Sequence, residues 1–310
     1  AAYSGFVVWH QGLSGSIPLV CATSKHAQNF IEKVTGAPVP VADTIFASYN
    51  IIASLLVIFS LPVLYALIHP KAEEVQEISE EKLKEIADET IHVDKPANPT
   101  LAERIDHSYA INIVFGLMGL AYLANHFITK GMDLNLNVVI FLFFILGVLL
   151  HGKPVNYIKA VNTAIKGAGG IALQFPLYGG IQGILIGTGL GKVIASWFVA
   201  ISTPVTFYML QFWAAGIINM FVPSGGGQWL VQGPITIEAA KTMGINMTTS
   251  AMMVAWGDQW TNMVQPFWAL PLLGLAGLSA RAVMGYTTMT LLWSGAILSI
   301  VALLLGMGIM

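Results

Sequence analysis

The chain has 310 residues, of which 55% are hydrophobic and 10% are charged, and its formal net charge is −2. Soluble domains carry roughly 25% charged residues, so this composition argues against a soluble core and predicts an integral membrane protein. The small net charge gives no reason to expect nucleic-acid binding. With Cys21 as its one cysteine, the chain can form no internal disulfide and no thiolate metal site.

The first 68 residues are predicted to form a broken helix and one membrane span. Residues 1–22 carry no charged side chain, but residues 10–16 (His-Gln-Gly-Leu-Ser-Gly-Ser) and Pro18 favour turns. A helix in this segment should therefore break midway. Residues 44–68 form an uninterrupted apolar stretch of membrane-spanning length. We assign residues 1–68 to the C-terminal part of a first repeat.

A charged linker follows at residues 69–108. It contains 11 of the 16 acidic residues and 5 of the 14 basic residues. A solvated connector is favoured over a partner-binding site, because charge-rich segments are usually exposed to water.

Residues 109–310 form the predicted second repeat. It contains two uninterrupted spans, a kinked span, two interfacial arms, a hairpin, a second broken span and a terminal span. In chain order these elements are residues 108–128, 134–150, 154–166 (interfacial), 167–191 (kinked at Pro176), 192–202 (interfacial), 203–243 (hairpin), 248–278 (broken) and 282–310.

The hairpin is predicted from a run without charge. Residues 193–237 contain no Asp, Glu, Lys or Arg, and as one helix these 45 residues would be about 68 Å long. The hydrocarbon core of a bilayer is roughly 30 Å thick, so the segment must turn. Pro223 and the following glycines are the expected turning point. Backbone groups in such a re-entrant turn must be buried in protein or face a polar cavity.

Two further patterns define the predicted architecture. Nine Lys and Arg residues fall on the linker side of the membrane and five on the other, which places the linker in the cytoplasm of a multi-pass protein of the cytoplasmic (inner) membrane. Pro18-Leu19 and Pro271-Leu272 each follow a polar helix break and precede a long span. The two broken helices would cross in opposite senses. The predicted fold class is therefore an all-α polytopic membrane protein, an inverted-repeat transporter with a re-entrant hairpin and broken transmembrane helices.

Two motifs carry a family resemblance. The segment 223–229 (Pro-Ser-Gly-Gly-Gly-Gln-Trp), with Gln232-Gly233-Pro234, and the segment 256–271 (Trp-Gly-Asp-Gln-Trp to Ala-Leu-Pro) resemble the short-chain fatty acid transporter family. The resemblance covers essentially the whole chain. Family members begin with a further N-terminal block, so we expect this chain to be a fragment that lacks most of its first half-repeat.

The resemblance implies a secondary active transporter, a symporter for small monocarboxylates such as butyrate or acetoacetate, working by alternating access. The predicted scaffold is also similar to that of the broader ion-transporter superfamily, whose members are often dimeric. Besides the substrate, the expected partners are therefore a second copy of the chain, in a homodimer, and the surrounding membrane lipid. No cofactor is expected beyond a coupling proton or sodium ion. The sequence contains no phosphate-binding loop of the type Gly-x-x-x-x-Gly-Lys, so ATP is not expected to be the energy source.

The substrate site is expected at the hairpin tip and the helix breaks. Backbone amides and the Ser224 hydroxyl would bind a carboxylate at the N-terminus of the second hairpin arm, whereas the alternative is that the glycines only allow close helix packing. Ser14 and Ser16 match the family pattern. The full set of predicted substrate-binding residues is Ser14, Gly15, Ser16, Ser224, Gly225, Gly226, Gly227, Gln228, Asn262 and Gln265.

Asp258, with Gln259, is the predicted ion-coupling site. A carboxylate within the bilayer costs ~2.5–3.5 kcal/mol or more, which favours a functional role over its alternative, a helix cap near the surface. His10 is the one histidine inside a broken span; it could relay protons, but a hydrogen-bonded structural role is favoured.

Two other functions are less consistent with the sequence. A carrier for dicarboxylates should have a basic residue near the tip, yet Lys241 lies 14 residues past Gly227. A membrane hydrolase could use Ser224, His10 and Asp258 as a triad, but nothing in their spacing requires it.

Overall fold

The computed structural model describes residues 2–71, 73, 80–81, 84, 93–270, 272–273 and 278–310, without the side chains of residues 166–168, 170–171 and 266. All regular structure in these residues is helical. The α-helices are α1 Ser16–Ala22, α2 Phe30–Thr35, α3 Ser48–Leu67, α4 Leu101–Asp106, α5 Tyr109–Lys130, α6 Leu136–His151, α7 Pro154–Gly187, α8 Leu190–Ala200, α9 Phe207–Asn219, α10 Gly225–Thr242, α11 Met247–Thr261 and α12 Ala280–Gly306. Short 3₁₀ helices are formed by Ala2–Gln11, Val41–Asp43 and Pro266–Ala269.

Three helices are long and apolar enough to cross a membrane. They are α3, α5 and α12, with 20, 22 and 27 residues. Two further crossings are formed if bent pairs count as spans: α6 with the start of α7, bent by 120°, and the end of α7 with α8, bent by 60°. The described part of the chain therefore has three to five candidate spans, as expected for a multi-pass membrane protein.

The outer helices bury one stripe and expose an apolar face. In α3 the buried residues include Ala53, Val57, Leu61 and Leu64, which recur at helical spacing. On the other faces of α3, Phe59 is 72% exposed. A soluble protein rarely exposes continuous apolar surface, whereas lipid solvates it. This pattern places α3 at the periphery, in contact with the bilayer.

The central element is α11, in which 12 of 15 residues are buried. It packs against α9, α10 and the 3₁₀ helix Ala2–Gln11. Gly257 brings α11 and α9 into backbone contact, because a Cβ atom at this position would lie 2.1 Å from the Phe212 carbonyl oxygen. Trp256 lies in one apolar cluster and Val254 in another, on different sides of α11. Helix α11 thus packs against both arms and carries Asp258 into the centre of the protein.

Both predicted helix breaks are present in the structure. The 3₁₀ helix ends at Gln11, a turn follows, and α1 begins at Ser16. Helix α11 ends at Thr261, and a turn leads to the 3₁₀ helix Pro266–Ala269. Part of the predicted span 248–278, residues 271 and 274–277, lies outside the described residues. The division into repeats at residues 1–68, 69–108 and 109–310, and their inverted relation, remain predictions.

Two boundaries differ from the sequence-based prediction. Residues 154–166 and 167–191 were expected to form an interfacial arm and a kinked span, but the structure has one 34-residue helix, α7, with Pro176 inside it. The glycines were expected to unwind the hairpin tip. Instead Ser224 caps α10, and Gly225 to Gly227 form its first turn, so the turn itself precedes the glycines. A capped helix N-terminus tolerates glycine because its first amides need no intrahelical partner.

Candidate functional site between the hairpin tip and the helix breaks

The hairpin tip touches the first helix break. A Cβ atom built on Gly225 would lie 2.4 Å from Cε1 of His10 and 2.4 Å from Oγ of Ser16. Both distances are far inside van der Waals contact, so only glycine fits without movement. The first turn of α10 therefore lies directly against the His10 ring and the start of α1.

The second break touches the same tip and the neighbouring helices. The Trp268 indole N–H donates to the Pro223 carbonyl oxygen at 3.0 Å. The Tyr3 hydroxyl donates to the Asn262 carbonyl oxygen at 2.9 Å, and the Asn219 side-chain amide donates to Asn262 Oδ1 at 2.9 Å. The tip and the two breaks thus form one continuous polar region, which we call the seam. It is bounded by the 3₁₀ helix Ala2–Gln11, the start of α1, the end of α9, the start of α10, and the end of α11 with the turn after it.

The tip offers backbone donors. The Gly227 N–H donates to Ser224 Oγ at 3.4 Å, and the Gly227 carbonyl oxygen accepts from the Gln182 amide at 3.2 Å. The first amides of a helix have no intrahelical acceptor, so the N–H groups of Gly225 and Gly226 are the donors that an anion would find at this end of α10.

A buried histidine–aspartate pair lies beside the tip. His10 Nδ1 is 2.7 Å from Asp258 Oδ2, and the two side chains are 0% and 1% exposed. The His10 backbone N–H donates to Gln259 Oε1 at 2.8 Å. The Trp9 ring stacks on His10 with centroids 4.2 Å apart. The imidazole is held on several sides.

The hydrogen bonds of His10 fix its tautomer. The Ile17 backbone N–H can only donate, and it lies 3.0 Å from His10 Nε2. Nε2 must therefore be an acceptor, and the ring proton of the neutral imidazole is on Nδ1, from which it is donated to Asp258. Asp258 Oδ1 has no hydrogen-bond partner within the described part of the chain.

Amide side chains line the rest of the seam. The Gln228 amide donates to the Ala215 carbonyl oxygen at 2.8 Å and to Gln232 Oε1 at 3.2 Å, and Thr236 donates to Gln211 Oε1 at 2.9 Å. Several buried side-chain atoms in this region lack a partner among the described residues: Gln211 Nε2, Asn219 Oδ1, Gln228 Oε1, Gln232 Nε2, Gln259 Nε2 and Asn262 Nδ2. A charge-neutral surface with both donors and acceptors suits a small polar ligand.

Comparison with known proteins identifies the family. The model of the family described as "Short chain fatty acid transporter" matches residues 1–305. The chain belongs to the short-chain fatty acid transporter family. A relative from Escherichia coli K12 is 40% identical over 296 residues, covering 96% of this chain and 66% of the relative. One from Haemophilus influenzae Rd is 37% identical over 299 residues, with the same two coverages. Both carry the name "Putative short-chain fatty acid transporter".

The chain spans about two thirds of the length of these curated relatives. No solved structure matches it. The family description and the names of both relatives are those of transporters, not of enzymes.

The seam unites most of the residues predicted for this family member. Ser16, Gly225, Asp258 and Gln259 meet around His10. The side chains of Gln228 and Asn262 are buried in the amide lining. Gln265 is the last residue of the second break, where its amide donates to the Tyr178 hydroxyl at 2.8 Å.

Two predicted residues have other contacts. The Ser14 hydroxyl donates to the Trp9 carbonyl oxygen at 2.6 Å and is at an exposed position, so it closes the turn of the first break. Gly226 faces Gln28, because a Cβ atom built on Gly226 would lie 3.9 Å from Gln28 Oε1. Their roles in substrate binding remain predictions.

Of the polar lining on α9 and α10, the sequence-based prediction included Gln228 but missed Gln211, Asn219, Gln232 and Thr236. The signal was available as a spacing: Gln228, Gln232 and Thr236 are four residues apart, and Gln211 and Asn219 are eight apart, within a run that has no charge. Residues four apart share a helix face, so each set forms a polar stripe. Such stripes inside membrane-embedded helices indicate a buried polar surface.

Proposed function

We propose that the protein is a secondary active transporter of short-chain fatty acids, which carries small monocarboxylates such as butyrate or acetoacetate across the cytoplasmic membrane by alternating access. The family membership and the names of the relatives support the substrate class. The observation that carries the proposal is the contact between Gly225 and both His10 and Ser16, which places the donors of a helix N-terminus at a helix break.

The carboxylate would bind at the tip. The N–H groups of Gly225 and Gly226 and the hydroxyls of Ser224 and Ser16 supply donors, and the positive end of the α10 dipole adds to the attraction for an anion. Discontinuous helices that point their N-termini at an anionic group are a recurring design in secondary transporters.

The short acyl chain would lie against aromatic side chains. Phe6 stacks on Trp9 with centroids 5.4 Å apart and packs against Trp268 at 6.1 Å. Trp9 stacks on His10, and Trp268 is bonded to the tip through Pro223. These rings give an apolar surface directly beside the proposed carboxylate site.

A monocarboxylate fits better than a dicarboxylate. Residues 193–237 carry no charge, and Lys241 is in the last turn of α10, at the opposite end from the tip. The seam contacts given above involve neither Lys nor Arg. A second carboxylate would therefore enter a low-dielectric region without a cation to balance it.

Alternating access would involve the two breaks, because irregular backbone can absorb changes in φ and ψ that a continuous helix cannot. The inverted repeat, the inner-membrane location and a homodimeric assembly are parts of the same proposal.

A direct binding measurement tests the proposal. The full-length natural chain is placed in nanodiscs and titrated with labelled butyrate, which avoids passive diffusion of the acid across a vesicle membrane. We expect saturable binding that unlabelled acetoacetate displaces and succinate does not. Ser224→Trp, which fills the tip, should abolish binding. Ser24→Trp, at an exposed loop position, should retain it. Absence of saturable butyrate binding by the natural chain, or equal competition by succinate, would refute the substrate assignment.

A further inference from the structure

The buried pair His10–Asp258 is a candidate proton site, because one edge of the His10 ring faces Asp258 and the other faces the tip. Nδ1 is bonded to Asp258 Oδ2 at 2.7 Å. Nε2 lies 3.4 Å from Ser16 Oγ, and Cε1 is the ring atom closest to the position of a Gly225 Cβ. A proton added to Nε2 would therefore lie beside the proposed carboxylate site, in place of the hydrogen bond that Nε2 accepts from the Ile17 N–H.

The pair has no other charged neighbour in the contacts that surround it. On α11 the titratable group is Asp258 itself. On α1 it is Cys21, which is packed in an apolar cluster with Val254 and Ala255.

The titratable groups on the other neighbouring elements are also directed elsewhere. On α3, Tyr65 bonds to Thr290 of α12 and Ser4 of the 3₁₀ helix. On that 3₁₀ helix, Tyr3 bonds to the Asn262 carbonyl oxygen. Helix α10 presents Gly225, and its Glu238 and Lys241 lie more than three turns further along. The charge balance beside the tip thus depends on His10 and Asp258.

The charges of substrate and site conflict unless a proton is added. With the ring proton on Nδ1 alone, His10 is neutral and an ionised Asp258 leaves the pair with a charge of −1. A carboxylate at the tip would place a second negative charge nearby, in a buried region where like charges repel strongly. One more proton makes the pair neutral as an imidazolium–carboxylate, and it gives Nε2 an N–H that can donate to the substrate.

We propose that the His10–Asp258 pair takes up one proton with each carboxylate, so that His10 couples substrate binding to the proton gradient. This inference rests on the proposed function. In the step, a proton from water forms an N–H bond at His10 Nε2, and the same proton leaves to water on the opposite side when the carboxylate departs. No other covalent bond forms or breaks in this step.

Proton uptake also changes the start of α1. Protonated Nε2 no longer accepts from the Ile17 N–H, which must find another acceptor. The substrate carboxylate has two oxygens, and the second can accept this N–H while the first accepts from Nε2. Proton, carboxylate and the first turn of α1 would therefore move together.

The test measures protons and butyrate in one sample. The full-length natural chain in nanodiscs is titrated with butyrate in weakly buffered solution containing a pH indicator. We expect about one proton taken up per butyrate bound, and an apparent Kd that rises about tenfold per pH unit on the alkaline side, as linkage requires. His10→Gln keeps an acceptor for the Ile17 N–H but cannot hold the extra proton. It should bind butyrate with no proton uptake, more weakly, and with no dependence on pH.

His126→Gln is the matched control, because His126 is also a buried histidine paired with a carboxylate. It lies 3.2 Å from Asp133 in the turn between α5 and α6, away from the seam. This variant should keep the proton uptake of the natural chain.

Asp258→Asn provides a second test that does not require the His10 variant to fold. It makes the resting pair neutral, so butyrate should bind at pH 8 more tightly than to the natural chain, again without proton uptake. A purely structural aspartate would give weaker binding at every pH.

Three results would overturn the inference. They are butyrate binding by the natural chain without proton uptake, proton uptake that is retained in His10→Gln, and weaker butyrate binding by Asp258→Asn than by the natural chain at pH 8. These results leave butyrate binding by the natural chain intact and so differ from failure of the proposed function, in which the natural chain binds no butyrate.

Discussion

Replacing Gly225 by alanine tests the contact on which the site depends. The added Cβ would lie 2.4 Å from His10 Cε1 and from Ser16 Oγ, whereas carbon atoms in contact are ~3.5–4.0 Å apart. Ser16 can rotate its hydroxyl away. His10 cannot move easily, because Asp258 and Ile17 hold its two ring nitrogens. The tip itself must therefore retreat by about 1 Å.

The cost of this movement can be estimated. Overpacking in a tightly packed site costs ~1–3 kcal/mol, and alanine recovers up to ~1 kcal/mol over glycine in a helix. A net cost of ~1–2 kcal/mol corresponds to an affinity for butyrate that falls about 5- to 30-fold. The assay is the binding of labelled butyrate in nanodiscs, with the melting temperature measured on the same sample.

Gly179→Ala is the matched control for this prediction. Gly179 is an exposed residue within α7, and a Cβ atom there would meet nothing within 4 Å. Its affinity for butyrate should stay within about twofold of the natural value, because surface substitutions usually change free energies by less than ~0.5 kcal/mol.

A double-mutant cycle makes the test more specific. Once His10→Ala has removed the ring, adding Gly225→Ala should cost less than it does alone, because the colliding atom is gone. Unchanged affinity and melting temperature in Gly225→Ala, or full additivity in the cycle, would show that the tip does not press on His10.

Two other predictions concern stability and pH. Gly257→Ala should destabilise the protein by ~3 kcal/mol or more, since its Cβ would meet the backbone oxygen of Phe212 at 2.1 Å. In the control Gly183→Ala the added Cβ has no atom within 4 Å, so the melting temperature should not fall and should rise slightly with the better helix propensity of alanine. A melting temperature of Gly257→Ala no lower than that of the natural chain would contradict the close packing of α9 and α11. In the linker, the Thr100 N–H and hydroxyl bond to Glu103 and lower the pKa of its carboxyl below the ordinary value. This capping contribution should be present above the pKa of the unfolded chain and be lost as pH falls through the lowered pKa. Thr100→Ala removes the hydroxyl bond and keeps the backbone N–H, so the Glu103 pKa, followed by NMR titration, should rise part of the way toward its ordinary value. An unmoved pKa would contradict the contribution of the Thr100 hydroxyl.

The sequence allowed the helix breaks to be predicted because their causes are local. Turn-forming residues between His10 and Ser16, and a proline after Gln265, disrupt a helix wherever the segment lies in the fold. The spans were predictable for the same reason, since length and apolar content are properties of a segment. The boundaries at the tip were not, because a Ser224 cap and a glycine first turn are one of several local solutions.

The partners of each residue could not be derived from local pattern. His10 and Asp258 are 248 positions apart, and each had an acceptable local interpretation, as a structural histidine and as a helix cap. Only the tertiary packing of α11 against the N-terminal 3₁₀ helix joins them. The same packing turns Gly225 from a flexible turn residue into a contact surface.

The composition of the seam is itself an argument for proton loading. Amide side chains such as Gln228 and Gln232 provide polarity without net charge, and a charge in the bilayer costs ~2.5–3.5 kcal/mol or more. Asp258 is the exception, and it lies beside the proposed binding site for an anion. Two unit charges about 6 Å apart at an effective dielectric constant of about 20 repel by ~3 kcal/mol, or roughly 100-fold in affinity. Under the proposed proton coupling, the charge of this carboxylate is cancelled during part of the transport cycle, and a proton on His10 would supply that cancellation.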